Sequence, residues 1–328
     1  MTGLQHVRAE PEGGSTISEP VISRRSSWTD RLVDGRESFL DLITGTQSQL
    51  VLNAGDHEPP GLAAVDTDFS ADLKRFMDMT RIEAIDAQGY TVDYKQLKVS
   101  PTYLEYRQSC SPRLKNFDPA LLVTRAEKLA FWINLYNALI IDGVITGEIK
   151  KSVGSNSLAL LSFFRKTAYD IAGQHFNADD IEHGILRGNR GHPMLPGPQF
   201  KSQDRRLSWV IDPLDVRIHF ALNCASRSCP PIQVYSAEKI GEQLDMAARN
   251  FVDADLQIDQ ERCTAHISAI YKWFGGDFGD RHGVIEFLLK YLEAGERKEW
   301  LEEYRNSVTF HYKTYDWGLN SANLEFND

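Results

Sequence analysis

Long hydrophobic runs are missing from this chain of 328 residues. A membrane-spanning helix needs about 18 or more consecutive apolar residues, and the longest apolar stretch, Leu129 to Ile141, is interrupted by Asn134 and Asn137. The segment Met1 to Pro20 has neither the positively charged start nor the apolar centre of a secretion signal. We therefore expect no membrane span and a cytoplasmic location.

Positive charge and cysteine are also scarce. The formal net charge is -10 and the pI is about 5.4, whereas a nucleic-acid-binding protein needs a basic surface to bind phosphates. We therefore predict that nucleic acid is not a partner. Four cysteines do not form a disulfide framework in a chain of this length, and Cys110 and Cys263 are interpreted as small buried hydrophobes.

Polar and turn-forming residues mark off the N-terminal part of the chain. Residues 1–26 are rich in Gly, Pro, Glu and Ser, a composition that predicts a disordered tail. Residues 27–64 are predicted to form an N-terminal helix, from Trp28 to about Leu52, followed by a linker with a breaker cluster at His57 to Gly61. The remaining chain is long enough for one main domain.

Helical and strand patterns are mixed in that remaining part, without a regular alternation of strand and helix. Besides the long helix described next, helices are predicted at residues 69–79, 179–187, 236–252 and 285–292. A hairpin is predicted at 169–176, and strands at 207–211, 216–223, 264–267 and 308–312; residues 92–97 fit a strand or a helix start equally well. This order favours an α+β fold over a doubly wound sheet.

The helix Arg125–Thr146 is predicted to be the central buried element. Thr124 and Glu127 have the spacing of a capping box, in which each side chain accepts a hydrogen bond from the backbone of the other. The segment that follows is apolar on nearly all sides, which indicates burial. Asn134 and Asn137 share one face of this helix. Their amides need partners, either in a polar site or on a neighbouring backbone segment.

The most informative segment runs from Arg217 to Pro231. We interpret its first half as a short strand that ends in a turn with two thiols, Cys224 and Cys229. Side chains alternate between the faces of a strand, which places His219 beside Arg217 and opposite the apolar residues. A cation and an imidazole facing two thiols are costly in a purely structural strand. The segment therefore predicts a functional site.

Four separated segments follow the pattern of one known family. They are Leu129 to Ala138, Ile181 to Arg187, Arg217 to Cys224 continuing through Ser228 to Pro231, and Tyr315 to Asn320. On these motifs the chain resembles the domain-of-unknown-function 547 family. The resemblance covers about residues 65–322, which it delimits as the main domain. It implies no activity, because the family is named for lacking an assigned function.

A thiol enzyme is the leading hypothesis. Such an enzyme needs a thiolate nucleophile, a base within hydrogen-bonding reach and a group that orients the base. Cys224 or Cys229 is the predicted nucleophile, and His219 is the predicted base. The other predicted catalytic residues are His183, Glu182 (or Asp215) to fix the imidazole tautomer, and Asn134 (or Asn223) to donate to an oxyanion. The expected reaction is hydrolysis or acyl transfer on a peptide-like or anionic small substrate, and it requires no cofactor.

The anionic substrate is suggested by two arginines. Asp179, His183 and Arg187 follow one another at intervals of four residues and share one side of the predicted helix 179–187. If Arg187 converges with Arg217, the two guanidinium groups form a fork suited to a carboxylate or a phosphate. Asn137 and Asn223 complete the predicted ligand-binding set. The alternative for both arginines is pairing with a neighbouring carboxylate.

Two other functions remain open from the sequence. His183, His219, Cys224 and Cys229 carry donor atoms that suit zinc, although their spacing is not a standard zinc spacing and the neighbouring arginines repel a cation. Alternatively, the arginines, Glu182 and the asparagines form a buried polar network without chemistry. In that case the domain is a scaffold whose surface binds a partner protein.

Overall fold

The architecture comes from a computed structural model that describes residues 28–44, 49–54, 68–154 and 156–323. The predicted disordered tail, residues 1–26, and most of the predicted linker lie outside the described residues. Within the described residues, helices and short strands are mixed, and the fold class is α+β, as predicted.

The described α-helices are α1 (Trp28–Thr44), α2 (Phe69–Ala84), α3 (Tyr94–Val99), α4 (Pro101–Glu105), α5 (Arg125–Thr146), α6 (Ser157–Lys166), α7 (Ile240–Asp255), α8 (Ala269–Trp273), α9 (Gly275–Phe278), α10 (Asp280–Tyr291) and α11 (Glu296–Glu303). The strands are β1 (Leu50–Val51), β2 (Thr167–Ile171), β3 (Gln174–Asn177), β4 (Gln257–Asp259), β5 (Thr264–Ile267) and β6 (Thr309–Tyr312). The 3-10 turns are Ser111–Asn116, Pro119–Leu121, Arg205–Trp209, Val216–Phe220 and Ala237–Lys239, and the π-helical segments are Tyr106–Cys110 and Asp180–Leu186.

The strands form two small sheets of three strands each. In the first sheet, β1 pairs in parallel with β2, and β2 pairs antiparallel with β3. The predicted hairpin is confirmed, and it turns at Gly173, whose φ of 75° lies in the left-handed region that glycine adopts freely. In the second sheet, β4 pairs antiparallel with β5, and β5 pairs in parallel with β6.

Helix α5 is the central element of the core, as the sequence predicts. Both halves of the capping box between Thr124 and Glu127 are present. Every residue from Leu129 to Ile145 is buried. The helix is long and apolar enough to cross a membrane, but 94% of its apolar window is buried inside the protein. Its apolar character is therefore explained by packing on all sides.

Two hydrophobic clusters form the core. The first surrounds α5, and the second is built mainly from α7, α10 and β5. They meet at the 3-10 turn Val216–Phe220, because Ile218 packs in the first cluster and Phe220 in the second. The segment with the two thiols follows directly after this turn. The fold therefore places it at the junction of the two clusters.

The strands predicted at residues 207–211 and 216–223 are wrong. Both segments are short 3-10 turns, Arg205–Trp209 and Val216–Phe220. An aspartate precedes each turn, and its carboxylate accepts a hydrogen bond from the backbone N–H two residues later: Asp204 from Arg206, and Asp215 from Arg217. Such capping bonds compete with strand formation. The predicted alternation of faces does not apply there.

Two other predictions need smaller corrections. The N-terminal helix is described over Trp28–Thr44, and Leu50 and Val51, which were predicted to belong to it, pair in the first sheet instead. The ambiguous segment at 92–97 is helical from Tyr94, because the Asp93 side chain caps α3 by accepting from the backbone N–H of Gln96.

Leu139 lies fully buried in the middle of α5. Replacing it with alanine leaves a cavity, so Leu139→Ala should lower the free energy of unfolding by about 2–5 kcal/mol. Chemical denaturation measures this loss, and Val123→Ala, at an exposed position, is the control. A loss well under 1 kcal/mol at Leu139 would contradict the burial of α5.

Candidate functional site

A pocket of about 300 Å³ opens at the junction of the two hydrophobic clusters. Its polar lining comes from α5, the π-helical segment, the Val216–Phe220 turn and the cysteine turn. Five predicted catalytic residues line it: Glu182, His183, His219, Cys224 and Cys229. Pockets of this kind, with few polar groups among apolar walls, are typical ligand sites.

The wall that carries Glu182 and His183 is π-helical rather than α-helical. The backbone N–H of Arg187 donates to the carbonyl of Glu182 at 2.9 Å, five residues back in the chain. Gly184 is required at this point, because a Cβ atom there would lie 2.2 Å from the ring of Phe200. π-Helical turns often occur at functional sites. Glu182 and His183 in this segment, and Asp179 directly before it, all line the pocket.

The tautomer of His183 is fixed by Arg187. The Nη1 of Arg187 lies 3.0 Å from Nδ1 of His183, and because a guanidinium can only donate, Nδ1 is the acceptor and Nε2 carries the proton. That nitrogen lies 3.8 Å from a carboxylate oxygen of Asp179. Burial and the nearby Arg187 hold the pKa of His183 well below its usual value. The ring is therefore neutral near pH 7.

Asp277 joins Arg187 and His219 in a buried ion cluster. Its carboxylate accepts from Nε of Arg187 at 2.6 Å and lies 3.0 Å from Nε2 of His219. The ring of Phe274 stacks on His219 at 4.1 Å. Burial opposes ionisation of Asp277, but its hydrogen bonds to His219 and Arg187 prevail and hold its pKa well below the usual value. Asp277 is the orienting carboxylate that the sequence hypothesis assigned to Glu182 or Asp215.

His219 contacts neither thiol by a hydrogen bond within the described part of the chain. Its Nε2 pairs with Asp277, and one ring face is covered by Phe274. Burial lowers the pKa of His219 in spite of the neighbouring carboxylate. The imidazole lines the same pocket as Cys224 and Cys229. The direct thiol–imidazole pair predicted from their closeness in sequence is not formed.

Glu182 is a buried carboxyl group that lines the pocket together with the thiols. Its carboxylate accepts from the hydroxyl of Tyr136 at 3.0 Å. Burial raises the pKa of Glu182 to about 7, and the charge of Cys229 contributes to the rise. The charges of Glu182 and both thiols also add to the effect of burial in raising the pKa of Tyr136. A carboxyl group with this pKa can both donate and accept a proton near neutral pH.

The two thiols lie side by side at the pocket. The Sγ atoms of Cys224 and Cys229 are 2.7 Å apart, and both cysteines are free. Three further donors surround Cys229: the backbone N–H of Cys224 at 3.1 Å, the hydroxyl of Ser226 at 3.2 Å and the hydroxyl of Tyr315 at 3.3 Å. Hydrogen bonds of this kind stabilise a thiolate.

The pair holds one proton tightly and releases the other easily. The hydrogen bond to Cys229, together with burial, raises the pKa of Cys224 well above its usual value. Burial also opposes ionisation of Cys229, but the hydrogen bonds from Cys224, Ser226 and Tyr315 outweigh it and lower the pKa to about 6. The hydrogen bonds around the pair therefore favour a thiolate on Cys229 over one on Cys224.

The predicted asparagines hold backbone segments rather than an oxyanion. Asn134 donates to the carbonyl of Tyr235 and accepts from its N–H. Asn137 donates to the carbonyl of Ala221 and accepts from the N–H of Asn223. The Asn223 side chain donates to the carbonyl of Pro230 at 2.7 Å. All three are buried, so they fix the cysteine turn from within the core.

Arg217 lies outside the pocket, and the predicted arginine fork is not formed. Its guanidinium pairs with Asp215 at 2.6 Å and with Asp245 at 2.8 Å. Arg187 is paired with Asp277 instead. The two cations have different partners, because local carboxylates neutralise each of them. Both arginines are instead paired with carboxylates, which is the alternative that the sequence left open, and each has its own partners.

The structure adds functional candidates that the sequence pattern missed. They are Asp179, Tyr136, Asp277, His192 and the aromatic residues Trp273, Tyr315 and Trp317. Asp277 lies in an aromatic and Gly-rich segment at 271–278 that has no obvious periodicity. Tyr136 and Tyr315 lie within two of the motifs that carry the family resemblance, which was the one signal available for them.

The predicted zinc ligands are not gathered into one set. Among the described residues, no group of three or more His, Cys, Asp or Glu side chains is arranged to hold a metal ion. His219 points its Nε2 at Asp277, and His183 accepts from Arg187 through Nδ1. Both imidazoles are thus committed to other partners.

The raised pKa of Glu182 makes stability depend on pH. The folded protein binds this proton more tightly than the unfolded chain, so the free energy of unfolding should fall between about pH 5 and pH 8 as the buried carboxyl ionises. For a pKa of about 7 against an ordinary value of 4.5, the contribution is on the order of 3 kcal/mol.

Glu182→Gln should remove this contribution. Denaturant unfolding at several pH values measures it, with Glu242→Gln at an exposed position of α7 as the control. The wild type should lose more stability than Glu182→Gln as the pH rises, while the control follows the wild type. Parallel curves for the wild type and Glu182→Gln would contradict the assignment.

Comparison with known proteins locates the family resemblance on the chain. Residues 121–252 match the family model described as a protein of unknown function, DUF547. The matched region contains α5, the π-helical wall and both pocket thiols, but not Asp277 or the terminal aromatic residues. No curated protein and no solved structure matches the chain. The resemblance predicted from the sequence motifs is therefore confirmed over residues 121–252.

Proposed function

We propose that the domain is a thiol-dependent hydrolase or acyltransferase. The observation that carries the proposal is the pair of thiols at the pocket, where hydrogen-bond donors surround Cys229 and Glu182 faces the same space. A buried pair with no function would be expected to lack such donors and a pocket. The thiolate form is the one that attacks electrophiles.

The thiolate would act as the nucleophile on a carbonyl carbon. A sulfur–carbon bond forms, the carbon–nitrogen or carbon–oxygen bond of the substrate breaks, and the leaving group takes a proton from Glu182. The carboxylate then takes a proton from water or from an acceptor amine, which attacks the thioester and releases the thiolate. The π-helical wall holds Glu182 for this role, and Tyr136 orients it through its hydroxyl.

In this proposal His219 is not the base that the sequence predicted. Asp277 orients its ring as in a catalytic dyad, but the imidazole lines the pocket without bonding a thiol. We assign it to substrate positioning, with its unprotonated Nδ1 as a hydrogen-bond acceptor. The scaffold alternative accounts for the asparagines and for the Arg187–Asp277 pair. It does not account for a pocket that contains an activated thiol.

Dithiol–disulfide exchange is a second candidate, favoured by the 2.7 Å distance between the two sulfurs. In that reaction the thiolate attacks a disulfide such as glutathione disulfide and forms a mixed disulfide. The neighbouring thiol then displaces the second glutathione thiol, so the two cysteines are oxidised as glutathione is reduced. Cys224 and Cys229 are close enough for this second step without a large movement of the turn.

Alkylation tests whether the pair is activated. Iodoacetamide at about pH 6 should label one of Cys224 and Cys229 much faster than Cys263, because hydrogen bonds in the pair stabilise the reactive thiolate. Cys263 is half-buried, and among the described residues its Sγ contacts the hydroxyl of Ser307 at 3.8 Å without a comparable set of donors, so it serves as the internal control. Tyr315→Phe should slow the labelling by removing one donor to Cys229. If both pocket thiols react only above about pH 8, like free cysteine, the enzyme proposal fails.

An activated ester separates the two candidates. The thiol enzyme should release one equivalent of nitrophenol from p-nitrophenyl acetate in a rapid burst, and Cys229→Ser should abolish the burst. Fast alkylation without acylation, accompanied by disulfide formation with glutathione disulfide, would favour the second candidate.

A further inference from the structure

We propose that the pocket binds a substrate carrying a positively charged amine beside an aromatic or apolar group. As a statement about the substrate of this site, the inference rests on the proposed thiol chemistry. The binding event itself needs no reactive thiol, so it can be tested separately. The evidence is a buried carboxylate without a donor, a second carboxylate with spare acceptor capacity and an aromatic wall.

Asp179 is unusual because its carboxylate is buried at the pocket without a hydrogen-bond donor among the described residues. Asp179 is only 5% exposed, and it lines the pocket. Within the described part of the chain, no group donates a hydrogen bond to its carboxylate, and the nearest cationic-capable atom, Nε2 of His183, is 3.8 Å away. Buried polar groups in proteins almost always have partners. A ligand ammonium would supply the missing donor.

Glu182 offers a second acceptor on the same side of the pocket. One of its oxygens accepts from Tyr136 at 3.0 Å, whereas the other lies 3.8 Å from His183, beyond hydrogen-bonding distance. Asp179 is therefore the main acceptor for a ligand ammonium, and Glu182 adds a second acceptor oxygen to the lining of the same pocket.

The arginines around the pocket are already neutralised. Arg187 shares Asp277 with Arg190, and Arg165, the cation whose charge acts on Asp179, is paired with Glu37. The three histidines that line the pocket have pKa values below their usual value, mainly because of burial. The pocket therefore offers acceptors and negative charge rather than a cationic site. This charge disfavours the anionic substrate suggested by the sequence.

Three aromatic residues, Trp273, Tyr315 and Trp317, form an aromatic part of the pocket lining. The rings of Trp273 and Trp317 are stacked with centroids 5.4 Å apart, and Tyr315 lies 4.5 Å from Trp317. All three are partly exposed to the pocket. Aromatic faces attract cations and stack on flat apolar groups. An arylalkyl amine matches both halves of the site, and the cavity of about 300 Å³ accommodates a molecule of that size.

Calorimetry with three matched probes tests the inference. Phenethylamine, phenethyl alcohol and 3-phenylpropionate share a phenyl group and differ in charge. The protein is the full chain with Cys224→Ser and Cys229→Ser, so that thiol chemistry plays no part. At about pH 8, phenethylamine should bind at least about tenfold more tightly than the alcohol, and the carboxylate most weakly. Equal binding of amine and alcohol, or tighter binding of the carboxylate, would overturn the proposal.

Substitutions of the two carboxylates test whether they bind the ammonium group of phenethylamine. In the same background, Asp179→Asn should lower the affinity for phenethylamine about tenfold or more and leave the affinity for the alcohol unchanged. Glu182→Gln should act in the same direction, and Glu242→Gln is the control. If both pocket variants keep the full preference for the amine, the proposed carboxylates are wrong.

The outcomes distinguish this inference from the proposed function. Selective amine binding together with unreactive thiols in the wild type would support the amine site and contradict the thiol enzyme. Reactive thiols without amine selectivity would support the thiol enzyme and contradict the amine site.

Discussion

Buried asparagine amides are the constraint on which the site depends. Asn137, in the middle of α5, bonds the backbone at both Ala221 and Asn223. Asn223 in turn bonds the backbone N–H of Ala225 and the carbonyl of Pro230. Because a buried amide that loses its partners costs about 1–3 kcal/mol, these bonds define one arrangement of the turn.

The geometry of the turn follows from those bonds. Ala225 has a φ of 63°, which a residue with a Cβ atom adopts rarely. Asn320, from the C-terminal motif, adds a hydrogen bond from its N–H to the carbonyl of Ala225. The strained backbone at Ala225 is thus held by hydrogen bonds on both sides. The position of the thiols is a property of the core rather than of the loop alone.

The electrostatics of the pocket follow from a second set of pairs. Asp277 pairs with Arg187, Arg190 and His219, so the charge of Arg187 is offset by a carboxylate within the protein. Asp179 and Glu182 are left facing the space with raised pKa values of about 7. A site of this type is suited to proton transfer near neutral pH. It is also suited to a ligand that brings its own positive charge.

Much of the fold could be predicted from local sequence signals. The capping box at Thr124, the apolar surface of α5 and the turn at Gly173 each depend on residues close together in the chain, and each is confirmed. The error at residues 216–223 is also local. Three alternating apolar residues suit a strand, but the preceding Asp215 caps a 3-10 turn that buries them as well.

The site could be predicted only in part, because its key contacts are distant in sequence. His219 is 58 residues from Asp277, and Tyr136 is 46 residues from Glu182. No periodicity or spacing links such pairs in a single sequence. The thiols, Glu182 and the histidines could be predicted as site residues, because their chemistry and their motifs are visible in the sequence. Their partners, the unbonded state of Asp179 and the separation of Arg187 from Arg217 required the structure.

The most direct test of the central claim is a titration of the thiolate by its ultraviolet absorbance. The difference between the wild type and the double variant Cys224→Ser, Cys229→Ser isolates the pair from Cys110 and Cys263. One thiolate per chain should appear with an apparent pKa near 6, and no second thiolate should form until well above the ordinary cysteine range. If instead two thiolates appear together at about pH 8 to 9, the sulfurs do not share a proton and the site is not activated.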